Sequence, residues 1–224
     1  MRDLASLSSY DATRSRVASY FDGTATRVWE RLTSDAPVSR IRQTVREGRD
    51  SMRALMLAQL PDDLRGARVL DAGCGTGTAA AELAARGADV TAIDISPRLI
   101  EIARTRLPEG LSGRVEFRAG DMLAADLGHF DHVVAMDSLI YYTRPDLEAA
   151  LDGLGSRAGQ IVFTVAPRTA LLMAMWNVGK VFPQSDRSPV MIPHDWRQIG
   201  VPGLARVGRI SRGFYISECL RVAP

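Results

Sequence analysis

Hydrophobic positions follow two regimes along the chain. Up to about residue 60 they recur at helical spacing. Val17, Phe21, Val28 and Leu32 predict a helix over 14–32. Val38, Ile41, Val45, Met52, Leu55 and Leu60 predict a second over 38–60, opened by Pro37 and ended by Pro61. One position on from this second stripe lie Arg42, Arg46, Arg49 and Arg53, so four guanidinium groups share one helix face. A solvated face and an anion-binding face both fit that pattern.

From Arg68 the pattern switches to short apolar runs separated by helical segments. Strands are predicted at Arg68–Asp71, Asp89–Asp94, Val115–Arg118, Phe130–Met136 and Ile161–Val165, with helices at Thr76–Arg86, Pro97–Leu107 and Pro145–Leu154. Alternation of this kind predicts an α/β fold, a mostly parallel sheet with helices on both faces. Thr169–Lys180 reads as a further helix, followed by a loop holding Pro183, Pro189 and Pro193. Ala205–Arg212 and Phe214–Val222, split by Gly213, read as a C-terminal antiparallel hairpin on the same sheet. The expected organisation is a helical arm or lid over 1–60 and a main domain over 61–224, with a lid segment at about 168–195.

Composition sharpens this outline at three points. The net charge of +2 conceals an uneven distribution: residues 1–60 carry +3, residues 61–154 carry −7 and residues 155–224 carry +6. Two cysteines, Cys74 and Cys219, make no disulfide framework, and the first residues hold no apolar run of a secretory signal, so a cytoplasmic chain is expected. The longest apolar stretch, Ala170–Val178, is shorter than the roughly 20 residues a bilayer crossing needs. Peripheral contact with a membrane, or with an apolar ligand, remains open to it. No His, Cys or acid cluster has metal-ligand spacing, so no protein-bound metal is expected.

The run Val69-Leu-Asp-Ala-Gly-Cys-Gly-Thr-Gly77 carries the most chemistry. It places a glycine-rich turn where the first strand meets the first crossover helix, the edge at which open α/β sheets bind ligands. A dinucleotide site would put its third glycine at position 78, which is Thr. Here an acid, Asp71, instead stands two residues before Gly73, and a carboxylate there favours a cationic ligand over a pyrophosphate. This arrangement resembles the first motif of class I S-adenosylmethionine-dependent methyltransferases, a Rossmann-like fold. The resemblance implies a cofactor set of Asp71, Gly73, Cys74, Gly75 and Gly77 in the turn, Asp94 and Ile95 for the ribose, Asp121 and Met122 for the adenine, and Met136 at the end of the fourth strand. Met136-Asp-Ser-Leu-Ile-Tyr-Tyr142 lacks the Asn/Asp-Pro-Pro-Tyr/Phe motif of methyltransferases acting on base and amide nitrogens.

The flanks narrow the resemblance. Tyr20-Phe-Asp-Gly-Thr-Ala-Thr-Arg-Val-Trp29, Val45-Arg-Glu-Gly-Arg49, Val165-Ala-Pro-Arg-Thr169, Val178-Gly-Lys-Val-Phe-Pro183 and Arg212-Gly-Phe-Tyr-Ile-Ser217 together resemble the magnesium-protoporphyrin IX O-methyltransferases. The chain departs from that family at Ala25, Thr33, Arg49 and Tyr141, where Gly, Tyr, His and His are common. The resemblance implies methyl transfer from S-adenosylmethionine to one propionate of magnesium-protoporphyrin IX, the ring-C one, in chlorophyll or bacteriochlorophyll biosynthesis. It also implies a functional link to the large subunit of magnesium chelatase and a location at or near photosynthetic membranes. The magnesium belongs to the substrate.

A propionate titrates near about pH 4.3, so it is already ionised at neutral pH and needs no strong base. Methyl transfer to it neutralises both reactants. A strong cation on the attacking oxygen would therefore hold back the charge that must be lost. Arginines are expected on the other propionate or on the cofactor carboxylate, with Tyr20, Tyr141 or His194 as the weaker donor that orients the reacting oxygen. Candidate substrate contacts are Arg46, Arg49, Arg168, Met175 and Trp176, the last two on the apolar helix. Three other readings stay open: another small-molecule O-methyltransferase, a non-catalytic cofactor- or porphyrin-binding protein, and a nucleic-acid methyltransferase. Only the basic flanks support the last, and no nucleic-acid partner is expected.

Overall fold

The computed structural model describes residues 4–23, 26, 30, 33, 39–169, 173 and 189–223. Two helices precede the sheet: α1 (Leu4–Asp22) and α2 (Arg40–Leu57). The sheet then alternates with helices: β1 (Arg68–Ala72), α3 (Thr78–Ala85), β2 (Asp89–Asp94), α4 (Pro97–Arg106), β3 (Arg114–Ala119), β4 (Phe130–Ala135), α5 (Arg144–Gly155) and β5 (Ala158–Pro167). The two-residue β6 (Pro193–His194), then β7 (Leu204–Arg212) and β8 (Tyr215–Val222), complete it. Strand order is β3-β2-β1-β4-β5-β8-β7, with β6 beside β5. The first five strands are parallel, and β8 and β7 run antiparallel.

The sheet is buried on both faces, and the pleat sorts its side chains accordingly. Leu70, Val133, Ile161 and Leu220 join one core beneath α5. Their chain neighbours Val69, Val134, Val162 and Cys219 join the other, with α3 and the end of α2. A third, smaller cluster sits at the C-terminal edge of the strands, where Val17 and Phe21 of α1 meet Leu99, Ile140 and Tyr141.

The helices start where their caps stand. Ser96 accepts from the Leu99 N–H at 3.3 Å, and Pro97 opens α4. Thr143 caps α5 in the same way, accepting from Asp146, with Pro145 in the first turn.

Departures from the sequence expectation have physical causes. The first helix starts ten residues earlier than the predicted 14 because its buried face is carried by Tyr10 and Thr13 as well as Val17 and Phe21. Tyr and Thr do not register as apolar in a periodicity count. Val28 and Leu32 lie outside the described residues. In α2 the buried stripe is Gly48, Met52, Met56 and Leu57, whereas Ile41 is 57% exposed. The helix overhangs the sheet at its start and docks only from its middle. Gly48 makes the docking possible, because a Cβ there would stand 2.7 Å from the Tyr215 ring. That docking puts the end of α2 in the same core as β1, α3 and β8, so packing is continuous across the boundary expected at residue 60. Strand β6 fell inside the predicted Pro-rich loop; β5 overshoots its sheet neighbours at Ala166 and Pro167, and these pair with Pro193 and His194.

Candidate active site

The glycine turn after β1 is folded back against β2, with the N–H groups of Gly73 and Cys74 both donating to the Ile93 carbonyl, at 2.8 and 3.0 Å. Gly73 takes φ +85°, and any side chain there would collide with Ser138. Gly77 caps α3 at φ +81°, and a Cβ there would press on Ala103 and Phe117 at 3.0–3.1 Å. It serves close packing of helix on strand and does not line the cavity.

A cavity of about 330 Å³ opens over this turn. Asp71, Gly73, Cys74, Gly75, Asp94, Ile95, Asp121, Met122 and Met136, all predicted cofactor contacts, line it. Asp71 is 2% exposed, and its Oδ2 has no hydrogen-bond partner. Burial, and then the charge of Asp94, push its carboxyl up to about 7. Asp94 is also buried, which pushes it up to about 6, against the opposing pull of N–H donors from Ser96 and Gly75, each at 2.9 Å.

Asp121, by contrast, is occupied from the arm. Its Oδ1 accepts from the Tyr10 hydroxyl at 2.7 Å and from Leu123 N–H at 2.9 Å, and its Oδ2 accepts from Arg14 at 2.6 Å. Tyr10 stacks on Tyr142, with ring centroids 4.8 Å apart. Further along α1, Asp22 accepts from Ser96 Oγ at 2.6 Å. The arm thus lies across the strand ends that form the cavity floor.

The opposite wall comes from α2. Arg46, Arg49, Asp50 and Arg53 face the cavity, while Arg42 is exposed, so three of the four arginines on the predicted face point inward. Arg53 pairs with Glu82 at 2.6 Å and with Asp50 at 2.8 Å. Arg49 pairs with Asp137, the residue after Met136.

The three candidate donors separate. Tyr141 lines the cavity, and burial raises its hydroxyl well above the ordinary range, so it keeps a proton to donate. Tyr20 sits behind the wall, its ring edge-on to Phe21 at 5.1 Å. His194, the third expected donor, does not line the cavity among the described residues. It is buried on β6, its Nε2 lies 3.1 Å from the carbonyl of cavity-lining Tyr142, and burial lowers its pKa. A neutral ring donating to a backbone carbonyl is a structural link. Arg168 is exposed beyond β5 and does not line the cavity. Met175 and Trp176 lie outside the described residues. Tyr10, Arg14 and Asp137 are site residues that periodicity did not single out. Two signals were present: the i, i+4 spacing of Tyr10 and Arg14, and an acid just past β4 as Asp71 nears the end of β1. Among the described residues no group of His, Cys, Asp and Glu is placed to hold a metal ion.

Two buried carboxylates, one with an unpartnered oxygen, in a glycine-walled cavity at a parallel sheet edge fit a ligand bearing a cation and hydroxyl donors. S-adenosylmethionine, with its ammonium, sulfonium and ribose, is such a ligand. Fold and site together define a class I S-adenosylmethionine-dependent methyltransferase, and residues 69–156 match a methyltransferase-domain family. Residues 135–224 match the family described as magnesium-protoporphyrin IX methyltransferase C-terminus. The chain is 60% identical over 222 residues to the magnesium-protoporphyrin O-methyltransferase of Rhodobacter capsulatus, covering 97% of this chain and 99% of that protein. It is 32% identical to the Synechocystis protein of the same name, over 91% of this chain and 93% of that one. The Synechocystis enzyme's crystal structure with bound S-adenosylhomocysteine superposes with a TM-score of 0.78 at 29% identity, covering 94% of this chain and 100% of that one. The chain belongs to the magnesium-protoporphyrin O-methyltransferase family.

Proposed function

We propose a division of labour within the cavity for the family's reaction. The activity is methyl transfer from S-adenosylmethionine to a propionate of magnesium-protoporphyrin IX, in (bacterio)chlorophyll biosynthesis. The observation that carries the assignment of roles is the unpartnered, buried Oδ2 of Asp71, facing a wall of arginines across one cavity. Asp71 and the Gly73–Gly75 backbone hold the cationic methionine end of the cofactor, Asp94 its ribose and Asp121 its adenine. When bound, S-adenosylmethionine supplies an activated methyl group, which the substrate carboxylate oxygen accepts while the C–S electron pair stays on sulfur.

The chain's own residues then have three tasks. Tyr141 donates to the reacting carboxylate and orients it without neutralising it. Arg49 and Arg46 hold the carboxylate end of the porphyrin at the α2 wall. Phe21 and Val17 of α1, with Tyr20 behind them, close the cavity against water, which strengthens each of these contacts. Arg168, Met175 and Trp176 are the proposed contacts of the macrocycle, carried by the family resemblance, and the ring-C propionate is the one presented. The deciding assay is turnover with magnesium-protoporphyrin IX and S-adenosylmethionine, resolving acid from monomethyl ester by chromatography and assigning the esterified ring by NMR. Absence of ester, or ester on another ring, overturns the corresponding part.

Two proposals concern surroundings. Among the described residues no helix is long and apolar enough to cross a membrane. Phe214 is 65% exposed beside Gly213, whose backbone packs on Thr44, one turn from exposed Ile41. With Arg40 and Arg42 alongside, this patch supports peripheral contact with an anionic membrane, tested by sedimentation with vesicles. The large subunit of magnesium chelatase, implied by the family resemblance, is the proposed protein partner, tested by co-purification.

A further inference from the structure

Asp137 is the only non-glycine residue with positive φ among those described, at +55°. It follows β4 at the cavity wall, and three other elements converge on it. From β5, Thr164 accepts the Asp137 backbone N–H at 2.8 Å, and its hydroxyl lies 3.2 Å from Oδ1. From β8, the Tyr215 hydroxyl reaches both carboxylate oxygens, at 3.2 and 3.3 Å. From α2, Arg49 pairs with Oδ2, and the side chains of the pair are 17% and 8% exposed. The sheet does not need this pair for its cohesion, because β4, β5 and β8 are already joined by backbone ladders. Buried ion pairs are weak sources of stability, and a left-handed non-glycine residue at a cavity is a pointer to function.

We infer that Asp137 is a positioning residue: it aims the Arg49 guanidinium into the cavity and offsets its charge, so that Arg49 orients the substrate carboxylate without holding it in a strong ion pair. The inference rests on the assignment of Arg49 to that carboxylate. Its chemical reason is that the attacking carboxylate loses its charge as the methyl arrives. An uncompensated cation stabilises the ionised reactant more than the transition state, so it tightens binding and slows the reaction.

Asp137→Asn isolates the charge. Asn tolerates left-handed backbone and keeps an acceptor for Thr164 and Tyr215. Porphyrin affinity, read by Soret titration without S-adenosylmethionine, is expected to rise about threefold, while kcat falls about tenfold. Adding Arg49→Gln to this variant removes the cation that Asp137 no longer offsets, and kcat is expected to recover above that of Asp137→Asn alone. A purely structural role would weaken binding and leave no such rescue. If Asp137→Asn weakens porphyrin binding, or Arg49→Gln fails to rescue it, the inference is overturned. Should Asp137→Asn not fold, Tyr215→Phe loosens the carboxylate but keeps its charge. A lower kcat without tighter porphyrin binding supports the inference, and an unchanged kcat overturns it. Arg49→Ala alone separates the two levels. Untouched porphyrin affinity there overturns the assignment of Arg49, whereas weakened affinity with an inert Asp137→Asn overturns the role of Asp137 only.

Discussion

The two walls of the cavity handle charge in opposite ways. On the strand side, among the described residues, Asp71 is buried with an oxygen that nothing satisfies, and Asp94 accepts from the backbone N–H groups of Gly75 and Ser96. On the α2 side, Arg49 meets Asp137, and Arg53 meets Glu82 and Asp50. One wall stores unbalanced negative charge; the other presents two guanidinium groups, those of Arg49 and Arg53, already balanced by acids. An unbalanced buried carboxylate costs stability until a cation arrives, so it binds strongly. A balanced guanidinium contributes directional hydrogen bonds with little net field. A reaction that joins a sulfonium to a carboxylate calls for the first on the cofactor and the second on the nucleophile.

The largest expected effect comes from removing the stored charge. Asp71→Asn should weaken S-adenosylmethionine binding by about a hundredfold in calorimetry while raising the melting temperature of the ligand-free protein at neutral pH. Loss of stability instead would mean that the carboxylate is a structural group. Next is pH. The Asp71 carboxyl, at about 7 in the free protein, must ionise to meet a cation, so cofactor affinity should rise about tenfold between about pH 6 and pH 8. The sign for stability is the reverse. A carboxyl raised above its unfolded value holds its proton in the fold, so the ligand-free protein should lose stability as pH rises from about 4 to about 7. A flat affinity profile would return Asp71 to the ordinary carboxylates.

Tyr141→Phe should lower kcat about fivefold, with S-adenosylmethionine affinity unchanged, because only the donor to the reacting oxygen is lost. The smallest effect tests the boundary between the walls. Asp121 lies on the cofactor side yet is balanced by Arg14 of α1. Arg14→Gln should move it into the unbalanced class and tighten S-adenosylhomocysteine binding about threefold. Weaker binding would show instead that Arg14 helps to build the adenine site.

Much of the strand-side wall was legible because it is local. Strand β2 was read at its observed bounds, and Asp71, Asp94 and Asp121 all lie at or just beside consecutive strand ends, where topology alone brings them together. The balanced wall was only half legible. Helical spacing put Arg46, Arg49 and Arg53 on one face, and Asp50 is a local partner of Arg53, but two partners come from elsewhere in the chain: Asp137 is 88 residues from Arg49, and Glu82 is 29 from Arg53. No periodicity encodes such a pairing. The setting of His194 was hidden for a related reason. Its position after Pro193 suggested a loop at the site, whereas pairing of β6 with β5 turned the ring into the interior.

The docking of α2 onto β7 and β8 also has a consequence for how the chain matures. Tyr215, which seats Gly48, is 167 residues downstream of it. On a ribosome, the arginine helix therefore emerges long before the hairpin that receives it and must wait undocked while the sheet grows beside it. Met52 and Met56, fully buried in the finished fold, stay uncovered through that interval and leave the helix open to chaperone capture. Ribosome-bound chains released before and after β8 should differ in protease sensitivity over Arg40–Leu57.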